Sequence, residues 1–152
     1  ERDEIYRMTF VDQPAPAFQE LKAVAGSLEP TLAAERGHVV VVEFWAPWCV
    51  ACRALIPHMN EWQAKFGARG ARIIGITADP VESTATAATE LGMKYAVFSD
   101  ESGKTMTAYQ AMAIPAVFVI DREGIVRDVM VGYDTVHLPK LDALVEHLVE
   151  TP

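Results

Sequence analysis

Val39-Val40-Val41-Val42-Glu43-Phe44-Trp45-Ala46-Pro47-Trp48-Cys49-Val50-Ala51-Cys52-Arg53 is the stretch that decides the fold of this chain. Its first part, Val39 to Phe44, is a β-branched run suited to a buried central strand, interrupted by a single acid, Glu43. A short turn through Pro47 follows. From Cys52 the apolar positions Leu55, Ile56, Met59, Trp62 and Phe66 recur at helical spacing, with Pro57 expected to kink the helix and Gly67 and Gly70 to end it. The cysteines thus fall at the first turn of a helix, where free amides and the helix dipole favour a thiolate. Cys-X-X-Cys spacing lets one thiol attack a mixed disulfide held by the other. Cys49, nearer the open end, is expected to be the nucleophile, and Cys52, one turn in, to be buried and to resolve the intermediate.

Working outward, Arg72 to Thr77 reads as a second buried strand, and Asp79-Pro80-Val81-Glu82 as a helix start with the Asp79 carboxylate as cap. That helix should run to Leu91 and stop at Gly92. Tyr95 to Phe98 is a short extended piece, and Gly103 to Met112 a short helix with Met106 and Tyr109 inward. Pro115 to Ile120 is a third strand, turned through Asp121-Arg122-Glu123-Gly124 into Ile125 to Val131. Leu138, Leu141, Leu144, Val145 and Leu148 stripe a closing helix beginning near His137. Upstream, Pro14-Ala15-Pro16 marks an extended approach, residues 1–13 are expected to be an extended N-terminal segment, and Ser27 to Gly37 reads as a short N-capped helix. The order predicts an α/β fold, a mixed sheet covered on both faces, in a single domain over residues 1–152.

The chain has 152 residues and a net charge of −8, which argues against a nucleic-acid partner because phosphate binding needs clustered Lys and Arg. The longest apolar run, Ala111 to Ile120, contains Pro115 and is well short of the roughly 20 residues of a spanning helix. No membrane span is expected in this chain. The charged start, Glu1-Arg2-Asp3-Glu4, is not a signal peptide, although a processed chain would look the same. Two cysteines cannot form a disulfide framework. Nor can they close a zinc site without a second pair, so no metal is expected, and His58 is read as a solvated helix residue. The scattered methionines are read as gap-fillers, Trp45 as structural, and Trp48 as a surface platform beside Cys49.

Four features together resemble the thioredoxin superfamily, and within it the TlpA-like and ResA-like thiol-disulfide oxidoreductases. They are Phe44 to Cys52; Pro57, five after the second cysteine; Ala113-Ile114-Pro115 before a strand; and Ile120-Asp121-Arg122-Glu123-Gly124 with Gly132 beyond. The stretch Asp79 to Asp100 resembles the insert of the TlpA and peroxiredoxin-like branch, between the second strand and the next helix. Three positions depart from the pattern. Ala116 stands where relatives usually have Thr, Leu55 where many ResA-like reductases have Glu, and Glu43 where thioredoxins have a buried Asp.

The resemblance implies a thioredoxin-like fold and an extracytoplasmic reductase. Its redox-active Cys49–Cys52 pair, with no other cofactor, would reduce disulfides in client proteins and be re-reduced by a membrane thiol transporter of the DsbD or CcdA type. It also implies that Ile114–Pro115 is cis beside the dithiol, with Trp48, Val50, Ala51, Ile114 and Pro115 meeting the client. A periplasmic or otherwise extracytoplasmic location follows, with any membrane anchor lying in a segment absent from this chain. An oxidase or isomerase on the same fold is the first alternative. A thiol peroxidase would need a Thr where Ala46 stands, and a copper-delivery module would have only His137 as a third ligand. Glu43, a lone acid in a valine strand, resists ionisation, so its pKa should be elevated and fit it to exchange protons with Cys52.

Overall fold

A computed structural model describes residues 2–152. The β-branched run forms β2 (Val39–Phe44), buried at every position. It pairs in parallel with β3 (Ala71–Thr77) on one side and antiparallel with β5 (Ala116–Ile120) on the other. Two further strands, β4 (Ala96–Ser99) and β6 (Val126–Val131), extend the sheet, and β1 (Lys22–Ala25) closes one edge. The order is β1-β4-β3-β2-β5-β6, a mixed six-stranded sheet with β2 central.

Because side chains alternate across a strand, β2 feeds two cores. Val40, Val42 and Phe44 join one, with Phe118, Phe98 and Tyr109. Val39 and Val41 join the other, with the apolar stripes of α2 (Val50–Phe66) and α5 (Leu138–Glu150). A third helix, α3 (Val81–Glu90), packs on β1 and β4, while α4 (Lys104–Ala108) carries the chain toward β5. Both faces of the sheet are therefore covered, as the alternation of strands and helices predicts.

The N-terminal segment corrects the reading of residues 1–13 as extended: Arg2–Phe10 is a helix, α1, and Glu1 lies outside the described residues. Asp3 and Glu4 in its first turn and Arg7 in its last suit the helix dipole. Tyr6 and Phe10, four apart, bury against Phe118, and Arg7 pairs with Asp128 on β6. With only two buried aromatics in a polar stretch, tertiary contact outweighs the weak local pattern.

Ser27 to Gly37 holds only a 3-10 turn at Ala33–Glu35, without a side-chain cap. Pro30 disfavours helix for the residue before it. Nor does Asp79 cap α3. Pro80 is the N-cap residue, and the Thr84 hydroxyl instead donates to the Asp79 carbonyl, at 3.2 Å. The helix expected from Gly103 to Met112 is shorter, because Gln110 adopts φ +52° and turns the chain toward Pro115. The edge strand β1 has no counterpart in the sequence reading. Among the described residues no helix is long and apolar enough to cross a membrane.

Candidate functional site

The buried strand β2 ends at Phe44, and the Trp45 amide continues its pairing with β3 by donating to the Ile76 carbonyl, at 3.0 Å. Ala46 to Trp48 then make the turn that delivers Cys49 as N-cap of α2. The Cys49 amide donates to the Ala46 carbonyl (3.1 Å), and Arg53 fixes the same turn from within the helix through Nε to the Pro47 carbonyl (2.8 Å). Cys49 and Cys52 are joined in a disulfide.

The two sulfurs have different surroundings. Cys49 is 9% exposed and its Sγ accepts from the Cys52 amide at 3.2 Å, whereas Cys52 is fully buried. A sulfur in the N-cap position receives the free amides and the dipole of the helix, which stabilise negative charge on it. Trp48 (71% exposed) and Val50 (78%) flank Cys49 as an apolar rim. Ala51 is half-buried behind them.

The opposite wall is the loop before β5. The Ile114–Pro115 peptide is cis, and the Ile114 carbonyl oxygen lies 4.0 Å from Cys49 Sγ. Gly132 anchors this wall through its amide to the Pro115 carbonyl, at 2.7 Å. Ile114 packs on the small cluster that contains Cys49, Cys52 and Trp45. The loop and the disulfide are thus one surface.

Glu43 stands beneath that surface. It is completely buried and shares its face of β2 with Val41, which packs on α2, and with Trp45, which packs with Cys52. Across the sheet it is aligned with Gly75 on β3 and Val117 on β5. Burial pushes its carboxyl up to about 8, and a hydrogen bond donated by the Tyr95 hydroxyl to Oε1, at 3.5 Å, opposes part of that rise. Among the described residues Oε2 has no partner. Trp45 is buried and Trp48 exposed.

His58 is half-buried rather than solvated, its Nε2 paired with the Tyr133 hydroxyl at 2.8 Å, because the loop after β6 folds back onto α2. His137 precedes α5 and pairs with Asp128 at 2.7 Å. Among the described residues, Asp3, Asp134 and His137 bring one ligand atom each within 4.8 Å of one another, and neither cysteine belongs to that group.

Sequence reasoning missed Tyr95 and Gly75. Tyr95 reads as one more apolar residue of a short extended piece, and nothing local marks its hydroxyl as the partner of an acid on another strand. Gly75 sits within an apolar strand, where glycine is a signal of close approach. A Cβ there would meet Trp45 Nε1 at 3.0 Å and Tyr95 Cε2 at 3.3 Å.

A disulfide capping the helix that follows the central strand, faced by a cis-proline loop on a mixed sheet covered on both sides, defines a thioredoxin-like protein. More narrowly, the chain belongs to the AhpC/TSA family, which matches residues 11–129. It is 31% identical over 101 residues to the thiol-disulfide oxidoreductase ResA of Bacillus thuringiensis, a match covering 66% of this chain and 58% of that protein. The chain therefore spans little more than half the length of that relative. It is 30% identical over 125 residues to the protein DipZ of Mycobacterium bovis, covering 74% of this chain and 18% of DipZ. Among solved structures, a thiol:disulfide interchange protein of the thioredoxin family from Chlorobium tepidum superposes with a TM-score of 0.76. It has 28% identity, and the match covers 91% of this chain and 97% of that one.

Proposed function

We propose that this chain acts as a single domain and is a thiol-disulfide oxidoreductase that reduces disulfides in extracytoplasmic client proteins. The observation that carries the reading is the asymmetric disulfide, with Cys49 9% exposed at the α2 N-terminus beneath the exposed Trp48 and Val50, and Cys52 fully buried behind it. In the reduced protein, the Cys49 thiolate attacks one sulfur of a client disulfide, forms a mixed disulfide and releases the other client sulfur as thiolate. Cys52 loses its proton to Glu43 and attacks Cys49 Sγ. This releases the second client thiolate and closes the Cys49–Cys52 disulfide, so that two electrons have passed to the client.

Trp48, Val50 and Ala51 on one side, and Ile114 and Pro115 on the other, receive the client segment. A membrane thiol transporter of the DsbD or CcdA type returns two electrons, and the redox centre is the cysteine pair without a further cofactor. The likeness to ResA and to a thiol:disulfide interchange protein supports this reading.

Peroxidase chemistry is disfavoured by the residue three before Cys49, which is Ala46 where such a site needs Thr. The direction of electron flow is tested by equilibrating the dithiol with glutathione redox buffers. A potential near the thioredoxin value of about −270 mV is the expected result, whereas one near the DsbA value of about −120 mV would replace the reductase by an oxidase. Cys52→Ser should accumulate a Cys49 mixed disulfide with a client, while Cys49→Ser should form none. Equal trapping by both variants would overturn the assignment of roles.

A further inference from the structure

We propose that Tyr95 is a positioning residue for Glu43, holding one carboxyl oxygen so that the transferable proton is carried on the other, Oε2. The inference rests on reading Glu43 as the proton acceptor for Cys52.

Three observations carry it. The Tyr95 hydroxyl donates to Oε1, the one hydrogen bond of the Glu43 side chain among the described residues, while Oε2 is buried without a partner. A carboxylic acid whose Oε1 accepts from a phenol keeps its own proton on Oε2, because a proton on Oε1 would face the donor. Tyr95 is buried, and its ring passes 3.3 Å from the point a Cβ of Gly75 would occupy, so the bare backbone of Gly75 leaves room for the ring beside Glu43.

Tyr95 keeps its own proton throughout, since burial and the neighbouring Glu43 charge hold its hydroxyl well above the ordinary tyrosine range. It therefore works as a fixed donor, favouring the carboxylate and tempering the effect of burial. Little else around Glu43 competes with it. Its strand neighbours Gly75 and Val117 carry no charge. The nearest β4 position in that row is Val97, and the buried faces of α2, α3 and α5 offer no titrating side chain except Cys52.

The test follows the resolving step. Adding the aromatic disulfide of thionitrobenzoate to reduced protein releases one coloured thiolate when Cys49 is captured and a second when Cys52 resolves the adduct. The rate of the second release in wild type is expected to rise with an inflection near the Glu43 value of about 8. Tyr95→Phe keeps the ring and removes the donor, so the inflection should move up by roughly half to one pH unit, with a several-fold slower rate at pH 7.5. Glu43→Gln should lose the inflection, and adding Tyr95→Phe to it should change nothing further.

An unmoved profile in Tyr95→Phe, alongside a lost inflection in Glu43→Gln, would overturn the role of Tyr95 and leave that of Glu43 standing. Equal slowing of wild type and Glu43→Gln by Tyr95→Phe would show a merely structural role and overturn it too. A wild-type profile in Glu43→Gln would remove the acceptor role, and the positioning role with it. Carboxyl carbon NMR of oxidised protein gives the same answer without turnover: the Glu43 titration should shift upward in Tyr95→Phe, and an unshifted titration refutes the proposal.

Discussion

The Cys52 amide points at Cys49 Sγ from 3.2 Å, so the helix that buries one sulfur also supplies a donor to the other. In the reduced protein the same amide would face the Cys49 thiolate. Together with the residual exposure of Cys49, which Cys52 lacks, this makes the two thiols chemically unequal although only two residues separate them. Alkylation of reduced protein at mildly acidic pH is therefore expected to mark Cys49 before Cys52, with peptide mapping as the readout. Predominant labelling of Cys52 would reverse the order of attack.

Glu43 should make stability depend on pH in a defined direction. Its folded value of about 8 lies above the unfolded reference of 4.5, so between these the folded state holds a proton that the unfolded state has released. Stability associated with the neutral acid is complete below pH 4.5, falls as pH rises, and is lost once the folded value is passed. The whole effect amounts to about 5 kcal/mol at most, on 1.36 kcal/mol per unit. Glu43→Gln keeps the shape without the ionisation, so denaturant unfolding with the disulfide intact should find it more stable than wild type at pH 8 and closely matched at pH 4.5. A constant difference between the two pH values would show that Glu43 does not titrate in this window.

What the sequence disclosed and what it hid divide along the range of the interactions. Val39 to Phe44 and the stripe from Cys52 to Phe66 are long, periodic and buried, so β2 and α2 stand where the pattern places them, with the dithiol at their junction. The edge strand β1 is held by pairing with β4, which lies more than seventy residues along the chain, and its four residues carry little pattern of their own. The same reason hid Tyr95: its hydroxyl acts on Glu43 across 52 positions of sequence, and the valine run discloses the acid but not its partner. Asp79 failed as a cap because composition names residue types at a helix start and does not fix which side chain turns inward.

Gly75 offers a test of how tightly the layer beneath the disulfide is packed. A Cβ there would lie 3.0 Å from Trp45 Nε1 and 3.3 Å from both Trp45 Cδ1 and Tyr95 Cε2, all belonging to buried rings with little room to retreat. Gly75→Ala should therefore be destabilising by about 1–3 kcal/mol, the usual effect of overpacking a filled core. Because Trp45 and Tyr95 flank Glu43, the substitution should also slow resolution by Cys52. Unchanged stability, measured by urea unfolding, would mean that the two rings are free to shift.

The helix α1, which the sequence hides, should be as firmly part of the core as the sheet. Phe10 is 5% exposed and meets Phe118 edge-on, with ring centroids 5.2 Å apart, and Tyr109 in a stacked arrangement at 6.4 Å. Tyr6, one turn earlier, also reaches Phe118 and donates its hydroxyl to the Gln110 carbonyl, in the loop that leads to Ile114 and Pro115. Phe10→Ala would empty the space between α1 and the sheet, at a cost of about 3–5 kcal/mol. Tyr6→Phe leaves the ring in place and removes one bond, so it should cost about 1 kcal/mol. The two together separate packing from tethering. If Phe10→Ala unfolds in urea like wild type, α1 is an appendage and its contacts with Phe118 carry no stability. If instead the large loss appears for Phe10→Ala and the small one for Tyr6→Phe, α1 is the cover of the sheet face opposite α2, and it also secures the loop that faces Cys49.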